Sequence, residues 1–519
     1  MKALVATILL TTELVLLQHQ GLHNGNLMNY NGGDGGVYYA ASLNLIHGIL
    51  PYRNFVFFQP PLIMIILSPF ALLGNFVSTR TGFEAARAFV YLVEFANCIL
   101  LLWIIRWVNT IRIAIGLGVI ALSVDMLQAS TTVYLEPFLI AFCLGAIALL
   151  FEGDGFSESN LRVFIAGLLF GLAGATKVWA IVPVFILAAI MWTRYREKIF
   201  RFFSGIVIGF GAIVVPFILL CPRQLFKQVI FTQALRVREP PSTIGRLISL
   251  VGFPEFSQIL FPTFFTIVSL VLLLLGLTLT LRSQLIPFRR HRPTLELFSI
   301  WTVIAIMAMF LLANPFFFHY PAFLTPFVAM LLAIQPYSQS PTNKAPRRNT
   351  LSTPLLASSI ACLMLAAAAL DYYWVANPPP GTNSIPVKFL NYIPNDGCVL
   401  AWPVSFALLS NKYTGDTQKC PHLVDWYGTE RYYAPGKSIL YDAHTNNQQF
   451  QKVLQSWIRE SESIVFASAN LGIDASNMRY IKTHFLFLNS SQSLIYRSLF
   501  DVELGVRIGK TPVLQKRLA

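Results

Sequence analysis

The chain has 519 residues, 55% apolar and only 12% charged, with a mean hydropathy of +0.60. So few charges cannot coat a soluble globule of this size, which excludes the ordinary soluble classes. A net charge of +14 would raise nucleic-acid binding in a soluble protein, but here the basic residues fall largely in short loops between apolar runs, so the excess reads as topological.

The apolar runs recur from the N-terminus to about residue 370. They approach the roughly 20 residues that a helix needs to cross the hydrocarbon core. They are continuous and not alternating, which argues against a membrane β-barrel. The expected fold class is a polytopic α-helical membrane protein. In chain order, spans are predicted at about 3–18, 87–105, 113–128, 137–151, 163–176, 179–194, 202–220, 259–281, 297–315, 321–336 and 352–370, eleven in all. The first, MKALVATILLTTELVLLQ, has no small-x-small cleavage site behind it. It reads as an uncleaved anchor with a cytoplasmic N-terminus.

This parity puts Arg106 and Arg112, Arg162, Arg194 to Arg201, Arg282 to Arg292, and Lys344 to Arg348 on the cytoplasmic side, as the positive-inside bias requires. Residues 61–77 are apolar enough to span, but spanning would send these clusters outside. They are therefore expected to form a helix at the outer interface or dipping into the protein; the other resolution is that 3–18 does not span. Residues 19–86, 128–137, 221–258 and everything after 371 then lie outside, as does the tight turn at Thr176–Lys177.

Beyond residue 371 the composition turns mixed and no span follows. GCVLAWP, ESIVFASA and THFLFLNSSQSLIYRSL read as strands, the last as a hairpin about Asn489-Ser490-Ser491, and NNQQFQKVLQSWIRES has helical spacing. Two domains are expected: a membrane domain over 1–370 and an extracytoplasmic α/β domain over 371–519. Of the six cysteines, Cys398 and Cys420 could form a disulfide in an oxidising compartment or remain buried thiols.

The outer loops collect Asp34, Glu136, Lys177, Arg223, Lys227, Arg236, Arg238, Arg246 and His319. Ionisable groups at membrane depth are costly and face cavities, so two carboxylates and several cations could converge on one outward pocket. That set suits a donor whose lipid lies in the bilayer and whose phosphate lies at the interface. A carboxylate takes the proton of an acceptor hydroxyl and cations stabilise the departing phosphate. There is no Walker A or GxGxxG motif, as such a donor implies. Each residue also has a plainer reading. Asp34 could be an Asx-turn residue, Glu136 a helix cap, Lys177 a snorkelling lysine and His319 a packed interfacial histidine. Tyr38 and Tyr39 could be interface anchors. Glu13 and Asp125 lie in spans without an evident role.

The run Asp34-Gly35-Gly36-Val37-Tyr38-Tyr39, with His47-Gly48, Pro51-Tyr52 and Gln59-Pro60-Pro61-Leu62, resembles the first external loop of GT-C membrane glycosyltransferases. The likeness is to the protein O-mannosyltransferase and aminoarabinose transferase superfamily, including its bacterial members of unassigned acceptor. Arg87 resembles the arginine that opens the next span. Tyr134-Leu135-Glu136-Pro137, Thr176-Lys177 and His319-Tyr320-Pro321 resemble the family's second acidic turn, mid-chain Thr-Lys and late span start. The resemblance covers about residues 1–370. It departs at Gln59, where relatives carry a basic residue, at Glu136 in place of Asp, and in having one acid in the first motif where some carry a pair.

The resemblance implies transfer of a sugar from a polyprenyl-phosphate donor to an extracytoplasmic glycan, lipid or protein acceptor, with inversion at the anomeric carbon. It makes Asp34 the general base, aided by Glu136. Lys177, Arg236, Arg238 and His319 would bind the donor phosphate, and Tyr38, Tyr39 and Arg53 would position substrate. No metal ligands are assigned, and a divalent metal requirement is left open. The glycines beside Asp34 are expected to let backbone approach the donor. The competing function is a transporter or flippase without transfer chemistry. It would favour internal repeats and midplane polar residues, and the chain shows no repeat.

Overall fold

A computed structural model of the chain describes residues 1–22, 27, 33–153, 155–238, 241–250, 294–334, 397–413, 420, 423–433, 447–466, 472–489 and 503–507. The expected spans at 259–281 and 352–370 lie outside the described residues.

Ten helices run through the first part of the chain: α1 (Lys2–Leu22), α2 (Asp34–Ile46), α3 (Leu62–Phe76), α4 (Thr79–Ile105), α5 (Thr110–Ala121), α6 (Val124–Ala129), α7 (Glu136–Leu150), α8 (Asn160–Thr176), α9 (Ile181–Arg194) and α10 (Arg196–Leu220). Beyond them, among the described residues, come the short helices Pro222–Phe226, Thr232–Ala234 and Thr243–Leu250, then Thr294–Leu312 and Thr325–Ile334. Among the described residues, α1, α4, α10 and Thr294–Leu312 are long and apolar enough to cross a membrane; α3, α5, α7, α8, α9 and 320–334 are shorter apolar segments. Their outward faces carry bare apolar side chains such as Phe185, Phe200, Val207 and Leu219, which only a nonpolar solvent tolerates over so large an area.

Local chemistry moved several boundaries from where hydropathy put them. α4 begins at Thr79, not 87, because the Ser78 side chain accepts from the Thr81 amide and caps it. The stretch expected as one span at 113–128 breaks in two, since Ser123 caps α6 by accepting from the Met126 amide. The segment at 61–77 forms α3, a 15-residue helix. It buries Ile63, Met64, Leu67 and Ala71 and exposes Ile65, Leu72, Leu73 and Phe76, so it rides on the protein with one face out.

α8 and α10 pack with their backbones touching. Gly167 and Gly171 on α8 face Gly205 and Gly209 on α10, and a Cβ on Gly209 would stand 3.1 Å from the Leu168 Cα. Both helices thus use the small-xxx-small spacing that lets apolar helices associate without a hydrophobic drive.

The C-terminal residues build a four-stranded sheet of β3 (Val399–Trp402), β4 (Ser463–Phe466), β5 (Phe485–Asn489) and β6 (Glu503–Arg507), in the order β3-β4-β6-β5; a two-residue ladder, β1 (Phe151–Glu152) with β2 (Gly155–Phe156), joins α7 to α8. β3 and β4 are parallel, and β6 is antiparallel to both β4 and β5. The helix Gln448–Glu460, capped by Asn447, lays Phe450, Leu454 and Ile458 against Leu400, Ile464 and Val465. The strand that pairs with β5 is 503–507, with Leu488 opposite Leu504. The expected hairpin turn about Asn489-Ser490-Ser491 and its return strand lie, past Asn489, outside the described residues. Cys398 and Cys420 form a disulfide, which resolves the alternative left open by the sequence; Cys98, Cys143 and Cys221 are buried free thiols.

This α/β unit docks on the bundle. Val404, Leu408, Leu409 and Val424 enter the same apolar cluster as Tyr39, Leu43, Ile63 and Phe83. The Tyr413 hydroxyl meets Asn44 Oδ1 at 2.8 Å, and Asn411 Oδ1 accepts from the Arg80 amide at 2.9 Å.

Candidate functional site

The site gathers where α2 starts, α7 starts and α8 ends. Asp34 is the first residue of α2, where free N–H groups and the helix dipole favour a negative charge. Its side chain is exposed and makes no ion pair among the described residues. Behind it Glu136 opens α7 and is fully buried. Lys177, between α8 and the next helical turn, donates to Glu136 Oε1 at 2.5 Å. Its ammonium also lies 3.5 Å from the Trp179 ring centre and 4.5 Å from that of Tyr320. A carboxylate and two π faces thus offset the cost of burying this charge. Burial pulls the Lys177 ammonium below the ordinary lysine value, and Glu136 opposes that pull.

His319 completes the cluster. Its Nε2 is 3.7 Å from Glu136 Oε1, and its ring stacks on Tyr134 with centres 4.1 Å apart. Burial, then the Lys177 charge, push its pKa down to about 3, so the imidazole is neutral at physiological pH. Among the described residues, Glu136 Oε2 and His319 Nδ1 are buried without a hydrogen-bond partner, an arrangement that favours a ligand or water.

The electrostatics tie these groups to others. The Asp34 charge acts on Lys177, His319, Tyr320 and Tyr38, and Arg236 acts on Lys177 and Tyr320. Arg236 is held by Asn314, which donates to its carbonyl at 2.5 Å, and by Gln233 Oε1 at 3.0 Å. Arg246, fully buried, donates to the carbonyls of Pro241, Phe310, Ala313 and Asn314. It thereby binds the 241–246 segment to the end of the helix Thr294–Leu312.

The structure thus brings together Asp34, Glu136, Lys177, His319, Tyr38 and Arg236. Three other residues sit apart. Tyr39 turns into the bundle, stacks on Phe83 and donates to the Phe70 carbonyl at 3.1 Å. Arg53 is exposed, with its charge acting on Cys221. Arg238 donates to Thr243 Oγ1 at 2.7 Å and to the Leu311 carbonyl at 3.1 Å.

The glycines need a correction. A Cβ on Gly35 would collide with Thr132 and stand 3.0 Å from the Val133 amide nitrogen, while one on Gly36 would collide with Ser405. The space these glycines leave is filled by protein and not by a donor. They let α2 approach the turn before Glu136, which Arg87 holds through Thr132 Oγ1 at 3.3 Å, and they let the α/β unit sit on α2. Arg87 is fully buried inside α4, over the Phe83 ring.

The sequence reading missed Asp425 and Arg431. Asp425 precedes the helix Trp426–Tyr433 and its Oδ1 accepts from the Gly428 amide at 2.8 Å. Burial, then the Asp34 charge, raise its carboxyl to about 6 against the pull of the Gly428 amide, Arg431 and Arg236. An Asp three residues before a Gly is a readable cap, but nothing local shows that it lies within electrostatic reach of Asp34. Among the described residues no three His, Cys, Asp or Glu side chains could hold a metal ion.

No family model and no curated protein matches the sequence. Solved structures do match. ArnT from Cupriavidus metallidurans, in its apo state, superimposes with a TM-score of 0.58 at 13% identity, covering 97% of both chains. The same protein bound to undecaprenyl phosphate gives 0.51 at 14% identity with the same coverage. The archaeal oligosaccharyltransferase AglB from Archaeoglobus fulgidus, in complex with an inhibitory peptide and a dolichol-phosphate, gives 0.43 at 13% identity over 92% of this chain and 73% of that one. The chain has the GT-C fold seen in ArnT, along nearly its whole length.

Proposed function

We propose that this chain is a membrane glycosyltransferase that moves a sugar from a polyprenyl-phosphate donor to an acceptor outside the cytoplasm. The observation that carries the reading is one end of the bundle. It holds an exposed carboxylate, Asp34, in front of a buried cluster in which Lys177 pairs with Glu136 beside His319, within a fold that in ArnT holds undecaprenyl phosphate.

In the proposed reaction an acceptor hydroxyl attacks the anomeric carbon from the face opposite the phosphate. Asp34 takes the hydroxyl proton as the new C–O bond forms. The bond from the anomeric carbon to the phosphate oxygen breaks, its electron pair leaves with the phosphate, and the configuration inverts. Lys177 and Arg236 stabilise the charge that develops there. Glu136 holds Lys177 and His319 in place and is too buried to meet an acceptor itself. The N-terminus and the loops bearing Arg106, Arg162 and Lys198 face the cytoplasm, and a C-terminal domain over 371–519 faces the opposite side.

The test is Asp34→Asn, purified at wild-type abundance and assayed for sugar transfer from undecaprenyl-phosphate sugars to envelope acceptors. Loss of roughly 10²–10⁴-fold in turnover is expected, with lipid binding retained. Full activity in the variant would sink the base assignment. A wild-type chain that binds and translocates the lipid without transferring sugar would favour the flippase reading.

A further inference from the structure

The first-loop run 34–62 holds a single acid among its described residues, Asp34, and the α/β unit carries another carboxylate, Asp425, on a helix that packs against that loop. Pro403 comes within 4.0 Å of where a Gly33 Cβ would stand, and Ser405 packs on Gly36, so this unit overlies the start of α2. Its helix Trp426–Tyr433 rests on the first loop, where a Gly428 Cβ would stand 2.9 Å from Phe58. Tyr432 of that helix also receives Lys227 at 4.0 Å from its ring centre. Asp425 heads this helix and is half-buried. One carboxylate oxygen is committed to the Gly428 amide.

Asp425 lies within electrostatic reach of both Asp34 and Arg236. The geometry that places it is the packing of Pro403 and Ser405 on the start of α2 and of Gly428 on Phe58, which brings the head of this helix over the first loop that carries Asp34. On the proposed reaction path the transferred sugar ring lies between Asp34 and the cations that meet the phosphate, within reach of the same helix. Tyr38, which also feels Asp34 and Asp425, borders the same space.

We propose that Asp425 is a second carboxylate of the transfer site, supplied by the α/β unit, and that it accepts hydrogen bonds from hydroxyl groups of the donor's sugar ring. This rests on the reading of the site as a glycosyltransferase. No bond is made or broken at Asp425; it holds the ring so that the anomeric carbon faces the nucleophile. A site built to bind a hydroxyl discriminates strongly against a donor lacking it, because its own polar group is then left unpaired.

The experiment uses the full chain in lipid nanodiscs and two probes, undecaprenyl phosphate without sugar and a panel of undecaprenyl-phosphate hexoses and pentoses. Two variants, Asp425→Asn and Asp425→Ser, keep a side-chain oxygen that can cap the helix while removing the charge. Both should bind the bare lipid phosphate within about twofold of wild type and bind the best sugar-bearing donor at least tenfold more weakly. Arg236→Gln should weaken both probes together. The carboxylate is costly to bury when ionised, so Asp425→Asn should also melt higher than wild type at pH 8 and lose that advantage at pH 5. Equal weakening of both probes, or no weakening of either, would overturn the assignment. If the wild-type chain bound neither probe, the transferase function would fall and this inference with it.

Discussion

At the residue scale, the chemistry is concentrated in a few charges that burial makes interdependent. Lys177 is tied to Glu136 at 2.5 Å with both side chains nearly inaccessible. Removing one partner of a buried pair strands the other charge, at a cost of roughly 3–5 kcal/mol, whereas replacing both with neutral groups costs less. Lys177→Met and Glu136→Gln should each lower the melting temperature in detergent more than the double variant does. All three should lose transfer activity by about 10²-fold or more if Lys177 meets the phosphate. Additive stability losses would mean the two charges do not support each other. Both residues can be picked out in the sequence, as acid and base at span ends, but their pairing cannot. They lie 41 positions apart, and in the sequence each reads as well as a cap or a snorkelling side chain.

At the element scale, glycines set the geometry. α8 ends one residue before Lys177, and its approach to α10 is fixed by Gly167, Gly171, Gly205 and Gly209. Gly209→Leu would drive a side chain into the α8 backbone. It should destabilise the bundle by roughly 1–3 kcal/mol, read as a lower melting temperature. Activity should fall further than Gly211→Leu makes it, since a Cβ on Gly211 meets only the Val215 side chain, at 3.7 Å. The paired four-residue spacing is visible in the sequence and is a recognisable packing signal. Gly35 and Gly36 show the opposite case, since in the sequence they look like a flexible donor-binding turn. Their real neighbours, Thr132 and Ser405, are about 100 and 370 residues away, so no local pattern could identify them.

At the scale of the whole molecule, the helix directions separate two ends. α7 runs from Glu136 to the β1–β2 ladder and α8 returns to Lys177. The cluster at Ser157, Glu158 and Lys198 is therefore a full helix length from the site. A cysteine placed at exposed Gly155 should react with an impermeant maleimide only after the cells are opened. One at exposed Gln449 should react in intact cells. The reverse pattern would invert the topology and carry the site to the cytoplasm.

The sequence by itself determined that the chain is a helical membrane protein, roughly where its helices run, and which end carries the unusual charges. Those properties follow from hydropathy summed over short windows and from charge in the loops. Helix starts slipped where one serine cap outweighed hydropathy, at Ser78 and Ser123. Only the tertiary structure decided that Lys177 is held by Glu136, that Tyr39 faces the core, and that the α/β unit packs on the start of α2. The physical reason is range. Local preferences act over a few residues, whereas the charge pairs and backbone contacts that build this site join segments tens to hundreds of residues apart, and their energies exist only once the chain has closed.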